Sequence, residues 1–169
     1  MDIQMLTDYF YRYGGVAIFV IVFLEYLNLP GFPAGIVMPL AGIWASKGGI
    51  GFGWALLLSV AAGLCGSWVL YLLGRYGGDL MLKQYLKKHP KHREVIDKTM
   101  ERIRSRGYLG LFLGKLIPMF RTIISIPAGI LKLDFIGYSV ASALGILVWN
   151  LVFVGAGYFF GESVLQILA

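Results

Sequence analysis

Two runs without a charged residue, 22 residues from Phe52 to Leu73 and 26 from Phe135 to Phe160, constrain this chain more than anything else in it. At about 1.5 Å per residue, a helix through either run crosses a hydrocarbon core of roughly 30 Å. A hydrophobic content of 58% and a mean hydropathy of +0.74 lie outside the range of soluble domains. The expectation is an all-α integral membrane protein whose 169 residues form a single membrane domain. The net charge of +6 does not point to nucleic acid, because ten of the fifteen Lys and Arg lie between Arg75 and Arg106. That placement fits anionic lipid headgroups and a cytoplasmic location for the segment 79–106. Cys65, alone and in mid-span, is expected to be a small packing residue.

The rest divides around these spans. Residues 1–13, with Tyr9, Phe10, Tyr11 and Tyr13, read as an interfacial start, and Asp2 and Asp8 ahead of the first Arg do not suit a removable signal peptide. From Gly14 to Leu29 the chain is uncharged except for Glu25, yet 16 residues reach only about 24 Å. A breaker cluster with Pro30, Pro33 and Gly35 follows, and then an apolar piece, Ile36 to Ser46, with a further break at Pro39 and too short to cross alone. A re-entrant hairpin before the first span is the economical solution. Residues 79–106 read as a basic surface helix or helical pair, with Val95, Ile96, Met100 and Ile103 at helical spacing. At Gly107 the pattern restarts: one offset of 88 residues sets Pro30 on Pro118 and Pro39 on Pro127, and Pro39-Leu-Ala-Gly42 answers Pro127-Ala-Gly129 with a single gap. Repeat one is 14–78 and repeat two 107–169, each a hairpin plus a crossing, which makes the repeat inverted and brings the hairpin tips together near the midplane.

Chemistry concentrates between Lys115 and Gly129, where two cations and two prolines sit in apolar surroundings. Pro118 and Pro127 interrupt helix, and Lys115 and Arg121 are costly at bilayer depth unless they face protein, water or an anion. Arg121 can grip a phosphate by two parallel hydrogen bonds, Lys115 adds a point charge, and Arg75 at a span end is a further phosphate contact or a snorkelling anchor. Glu25 supplies an acid near the first break, for proton uptake or for a buried ion pair with Arg121 that serves the fold. Asn150 reads as an interhelical hydrogen-bonding residue. An enzyme is not expected. His89 and His92 lie in the basic segment with no metal-site pattern, no Gly-x-Ser-x-Gly turn occurs, and no cofactor is called for.

Glu25 before the Pro/Gly break, Pro39-Leu-Ala-Gly42, Gly66 through Tyr71 to Gly74-Arg75, Lys115-Leu-Ile-Pro118-Met-Phe-Arg121, Pro127-Ala-Gly129, and Phe135 with Gly145 and Trp149-Asn150 together resemble the DedA (VTT-domain) membrane protein family, over residues 14 to 161. The resemblance implies paired re-entrant hairpins, a place in the bacterial cytoplasmic membrane, and translocation of undecaprenyl phosphate or of phospholipids such as phosphatidylethanolamine, in some members with proton coupling. Gly35 and Ser67 stand where many members carry acids, and Lys115 stands where the first Arg is usual. Glu25 is left as the one carboxylate of the membrane pieces, which favours a phospholipid over a doubly charged, proton-coupled undecaprenyl phosphate. The expected function is therefore a flippase- or scramblase-like lipid translocase with Glu25, Arg75, Lys115 and Arg121 on the substrate. Its partners are phosphate-bearing lipids, with protons and a second copy of the chain admitted. A structural membrane protein and a small-ion transporter are the alternatives of another class.

Overall fold

The computed structural model describes residues 14–27, 37–46, 50–88, 90, 93–118 and 120–168. These form α1 (Gly15–Tyr26), α2 (Val37–Ser46), α3 (Phe52–Lys88), α4 (Arg93–Lys115), α5 (Phe120–Ile123), α6 (Ser125–Ile130) and α7 (Phe135–Leu168), with no strand among the described residues. The interfacial start 1–13, the breaks at Pro30 and Pro33, Gly35, and both histidines, His89 and His92, lie outside the described residues.

Phe52–Gly78 in α3 and Phe135–Gly161 in α7 are long and apolar enough to cross a membrane, and only 33% and 39% of their apolar windows are buried. Along α7 the exposed Ile136, Val140, Leu144, Leu147 and Leu151 recur at three- and four-residue spacing, a stripe for which acyl chains are the fitting solvent. α1, with 12 residues, and α2, with 10, extend only about 18 and 15 Å. α2 is buried all round from Val37 to Ala45, as a uniformly apolar interior helix should be. Two glycines with positive φ, Gly78 (52°) and Gly107 (55°), bend the chain where the basic stretch leaves and rejoin its apolar neighbours. An L side chain in that conformation costs about 1–2 kcal/mol, so glycine is the natural residue at both bends.

The chain divides into two compact units, residues 1–63 with 147–169, and residues 64–146, so that α3 and α7 contribute to both. In the first unit α2 and α7 approach until their backbones nearly touch. A Cβ on Gly42 would lie 2.1 Å from the Val154 carbonyl oxygen, and one on Gly157 would lie 2.0 Å from that of Pro39. In the second unit α6 meets α3 in the same way, with Gly129 at 2.0 Å from the Tyr71 oxygen and Gly74 at 2.2 Å from the Ile126 oxygen. Small residues that let backbones come this close are what holds helices together in lipid, where apolar burial distinguishes poorly between neighbour and solvent. The second unit's core gathers Tyr71, Ile103, Leu111, Ile124, Ala128, Tyr138 and Ala141.

The link from α6 to α7 is fixed by local hydrogen bonds. The amides of Leu133 and Lys132 return to the carbonyls of Ala128 (3.2 Å) and Gly129 (2.9 Å), a Schellman closure with Lys132 at φ 51°. Asp134 then caps α7, its Oδ2 accepting the Gly137 amide at 2.9 Å.

Gly42→Ala and Gly129→Ala should each lower stability by about 1–3 kcal/mol through backbone overpacking. Gly53→Ala, where a Cβ meets open space, should cost nothing; thermal unfolding in detergent checks all three. Lys132→Gly should raise the same midpoint, the relief of its left-handed backbone being worth about 0.5–1 kcal/mol.

Candidate functional site

Pro118 sets the local geometry of the second unit's charged residues. With no N–H of its own and a clash with helix at the residue before it, it ends α4 at Lys115, and the chain turns before restarting at Phe120. The turn satisfies its own backbone. Leu116 and Ile117 donate to Leu113 (3.2 Å) and Gly114 (3.3 Å), and the Ile117 carbonyl accepts the amides of Phe120 (3.1 Å) and Arg121 (2.9 Å). Backbone polar groups turned away from water demand that accounting. The result puts Lys115 on the last turn of one helix and Arg121 on the first turn of the next, each only 1% exposed.

The Lys115 ammonium donates to Ser67 Oγ and Ser125 Oγ, both at 2.9 Å. Its stem runs over Gly145, where a Cβ would lie 2.5 Å from the lysine Cβ. Three helical elements, α3, α6 and α7, thus close around one side chain. Arg121 is buried in the same unit. Like charges buried in the interior of one unit raise each other's cost.

A run of polar contacts leads from this pair toward the exposed Arg75. Tyr138 Oη donates to the Ser67 carbonyl at 2.9 Å, and its ring stacks on Tyr71 with centroids 4.4 Å apart. Tyr71 Oη donates to the Leu133 carbonyl at 2.5 Å. Arg75 donates to the Tyr71 oxygen at 2.6 Å and to the Leu133 carbonyl at 3.3 Å, with its guanidinium 5.9 Å from the Tyr71 ring centre. The Schellman closure that ends α6 is what places that carbonyl.

Glu25 belongs to the first unit, buried on the last turn of α1. Beside it Tyr26 Oη donates to Asn150 Oδ1 at 3.3 Å, and Asn150 Nδ2 donates to Ser59 Oγ at 3.0 Å, which makes Asn150 an interhelical hydrogen-bonding residue. Of the charged residues singled out by sequence, Lys115, Arg121 and Arg75 share the second unit, and Glu25 lies in the first. Among the prolines, Pro118 occupies the turn after α4, whereas Pro39 and Pro127 are each the third residue of a short helix, where a missing N–H leaves no helical bond unmade. Ser125, Tyr71 and Tyr138 carry site geometry that the sequence reading did not assign. The available signal was a hydroxyl inside an otherwise apolar helix.

With the geometry in place, comparison with known proteins gives the class. Residues 32–159 match the VTT domain, and the chain belongs to this family of membrane proteins, also called DedA. It is 34% identical over 137 residues to the uncharacterized membrane protein YkoX of Bacillus subtilis, covering 81% of this chain and 62% of that protein's length. It is also similar to two proteins named undecaprenyl phosphate transporter A. The one from Staphylococcus aureus is 26% identical over 95% of this chain and 80% of its own, and the one from Bacillus subtilis is 32% identical over 89% and 73%. No solved structure matches the chain.

Ser67→Ala combined with Ser125→Ala should destabilise the protein by about 1–3 kcal/mol for each hydroxyl lost, because the ammonium stays buried while its acceptors go. Lys115→Met in the same background should recover much of that loss. Unfolding midpoints of the three proteins in one detergent decide it.

Proposed function

We propose that the chain is a lipid translocase of the bacterial cytoplasmic membrane that carries a phosphate-bearing headgroup between leaflets while the acyl chains remain in the bilayer. The observation that carries this reading is the burial of two cations, Lys115 and Arg121, in the interior of one unit. Phosphate is the ligand chemistry that serves both: Arg121 by two parallel hydrogen bonds and Lys115 as a point charge. Fixed charges and hydroxyls then stand in for water, which lowers the cost of taking a polar head through hydrocarbon. Arg75, exposed and aimed by Tyr71 and the Leu133 carbonyl, is the first contact for an arriving headgroup. Glu25 is assigned the pairing with an amine headgroup. The matched glycine contacts of the two units support two repeats, each a re-entrant hairpin with a crossing helix and of opposite topology, with the basic stretch on the cytoplasmic side.

Two headgroups compete. The names of two relatives favour undecaprenyl phosphate. A lysine at 115, which brings one charge without a planar fork, and a lone carboxylate at Glu25 favour a phosphodiester such as that of phosphatidylethanolamine.

Purified protein in proteoliposomes, given a fluorescent phosphatidylethanolamine or a labelled polyprenyl phosphate, should speed exchange of one of the two between leaflets. Arg121→Ala and Lys115→Met should each slow that exchange by about tenfold or more, the worth of one charge-assisted hydrogen bond. Unchanged exchange in both variants removes the site. A proton or ion flux that needs no lipid substrate would favour a small-ion transporter, and no flux of either kind would favour a structural role.

A further inference from the structure

The basic part of α4 holds a second cationic site that the residues above do not use. Lys98, Glu101, Arg102, Ser105 and Arg106 line a cleft of about 400 Å³ that also includes Leu113, beyond the Gly107 bend. The bend folds the chain back closely, since a Cβ on Gly110 would lie 2.5 Å from the Arg102 carbonyl oxygen and 3.2 Å from Arg106 Cβ. Ile96, Thr99 and Ile103, on the flank beside the two arginines, are all buried, whereas Glu101, Ser105 and Arg106 are exposed and Arg102 is half-buried.

The cleft's charge is not evenly available. Lys98 is engaged by Glu94 at 2.5 Å, and Glu101 offsets part of what remains. Arg102 and Arg106, one helical turn apart and so about 5–6 Å between Cβ atoms, are left as a pair that one phosphate can bridge. The Arg102 guanidinium is held 5.9 Å from the Phe120 ring centre. The cleft thus offers two forks and apolar surface at Leu113, with the Phe120 ring beside one of the forks.

We infer that this cleft binds an anionic phospholipid at the membrane surface, its phosphate on Arg102 and Arg106 and its first acyl segment along Leu113 and Phe120. A free phosphate would gain nothing from Leu113 and Phe120, whereas a lipid gains from both ends of the cleft. The inference rests on the membrane placement of the chain and not on the transport reading.

Native mass spectrometry of the whole chain, loaded with phosphatidylglycerol or with phosphatidylcholine, tests it. Phosphatidylglycerol should be held about tenfold more tightly, in keeping with one or two charge-assisted hydrogen bonds, and excess inorganic phosphate should not displace it. Arg102→Gln with Arg106→Gln should erase the preference. Lys87→Gln with Lys88→Gln, which removes the same charge elsewhere on the basic stretch, should leave it intact. Should the Gln pair fail to fold, Arg102→Lys with Arg106→Lys keeps the charge, loses the forks, and should still weaken binding severalfold. Equal losses in the 102/106 and 87/88 variants, displacement by inorganic phosphate, or equal retention of the two lipids overturns the inference. The readout is binding, so it stands or falls separately from lipid exchange.

Discussion

An ammonium group buried inside a helical unit has to be solvated by the protein itself, and three helices of the second unit meet to do that for Lys115. Pro118 ends α4 where the side chain can leave the helix inward. Gly145 on α7 gives the stem room to pass. Ser67 on α3 and Ser125 on α6 bring oxygens to the nitrogen at equal distances of 2.9 Å. Because each partner sits on a different element, the charge also registers those elements: a slide of α6 by one residue would take Ser125 away and leave an expensive donor unmet. A neutral residue of the same length would pack there without fixing the register.

Register of that kind depends on short helices being held tightly to long ones, and in both units glycine does the holding. Gly42 and Gly157 in the first unit, and Gly129 and Gly74 in the second, each present bare backbone to a facing carbonyl at a separation no Cβ would tolerate. In each unit the two contacts are three residues apart along both partners. Such approaches suit Cα–H to carbonyl contacts and dense dispersion, which remain available in lipid when the hydrophobic effect does not discriminate. Two stretches of different sequence have reached one mechanical solution, and the correspondence of Pro39-Leu-Ala-Gly42 with Pro127-Ala-Gly129 is the part of it that sequence displays.

What was legible follows from which forces are local. The spans could be read because lack of charge over more than twenty residues is a property of the string itself, and the turn at Pro118 because proline removes a donor wherever it stands. Pro39 and Pro127 read as breaks for the same reason, yet they sit in the first turn of short helices, where the missing donor is harmless. That distinction depends on where each helix begins, which is set by what packs against it. Lys115 and Arg121 announced themselves by their cost. Ser125, Tyr71 and Tyr138 did not, since a hydroxyl in an apolar helix is cheap when it bonds locally and becomes informative only once a distant partner is known.

Tyr71 shows why the site cannot be reduced to its charges. Its carbonyl is the surface on which Gly129 rests, its ring stacks on Tyr138, and its hydroxyl meets both the Leu133 carbonyl and Arg75. Tyr138 in turn bonds the backbone of Ser67, whose hydroxyl receives Lys115. One residue therefore ties the α6 crossing to the exposed guanidinium at one end and to the buried ammonium at the other. Any shift of α6 against α3 carries Gly129 and the Leu133 carbonyl together past Tyr71, because the Schellman closure connects that carbonyl to Gly129. Arg75 must then re-aim. Packing at the glycine contact and the direction of the surface cation are thus one mechanical variable, joined through Tyr71.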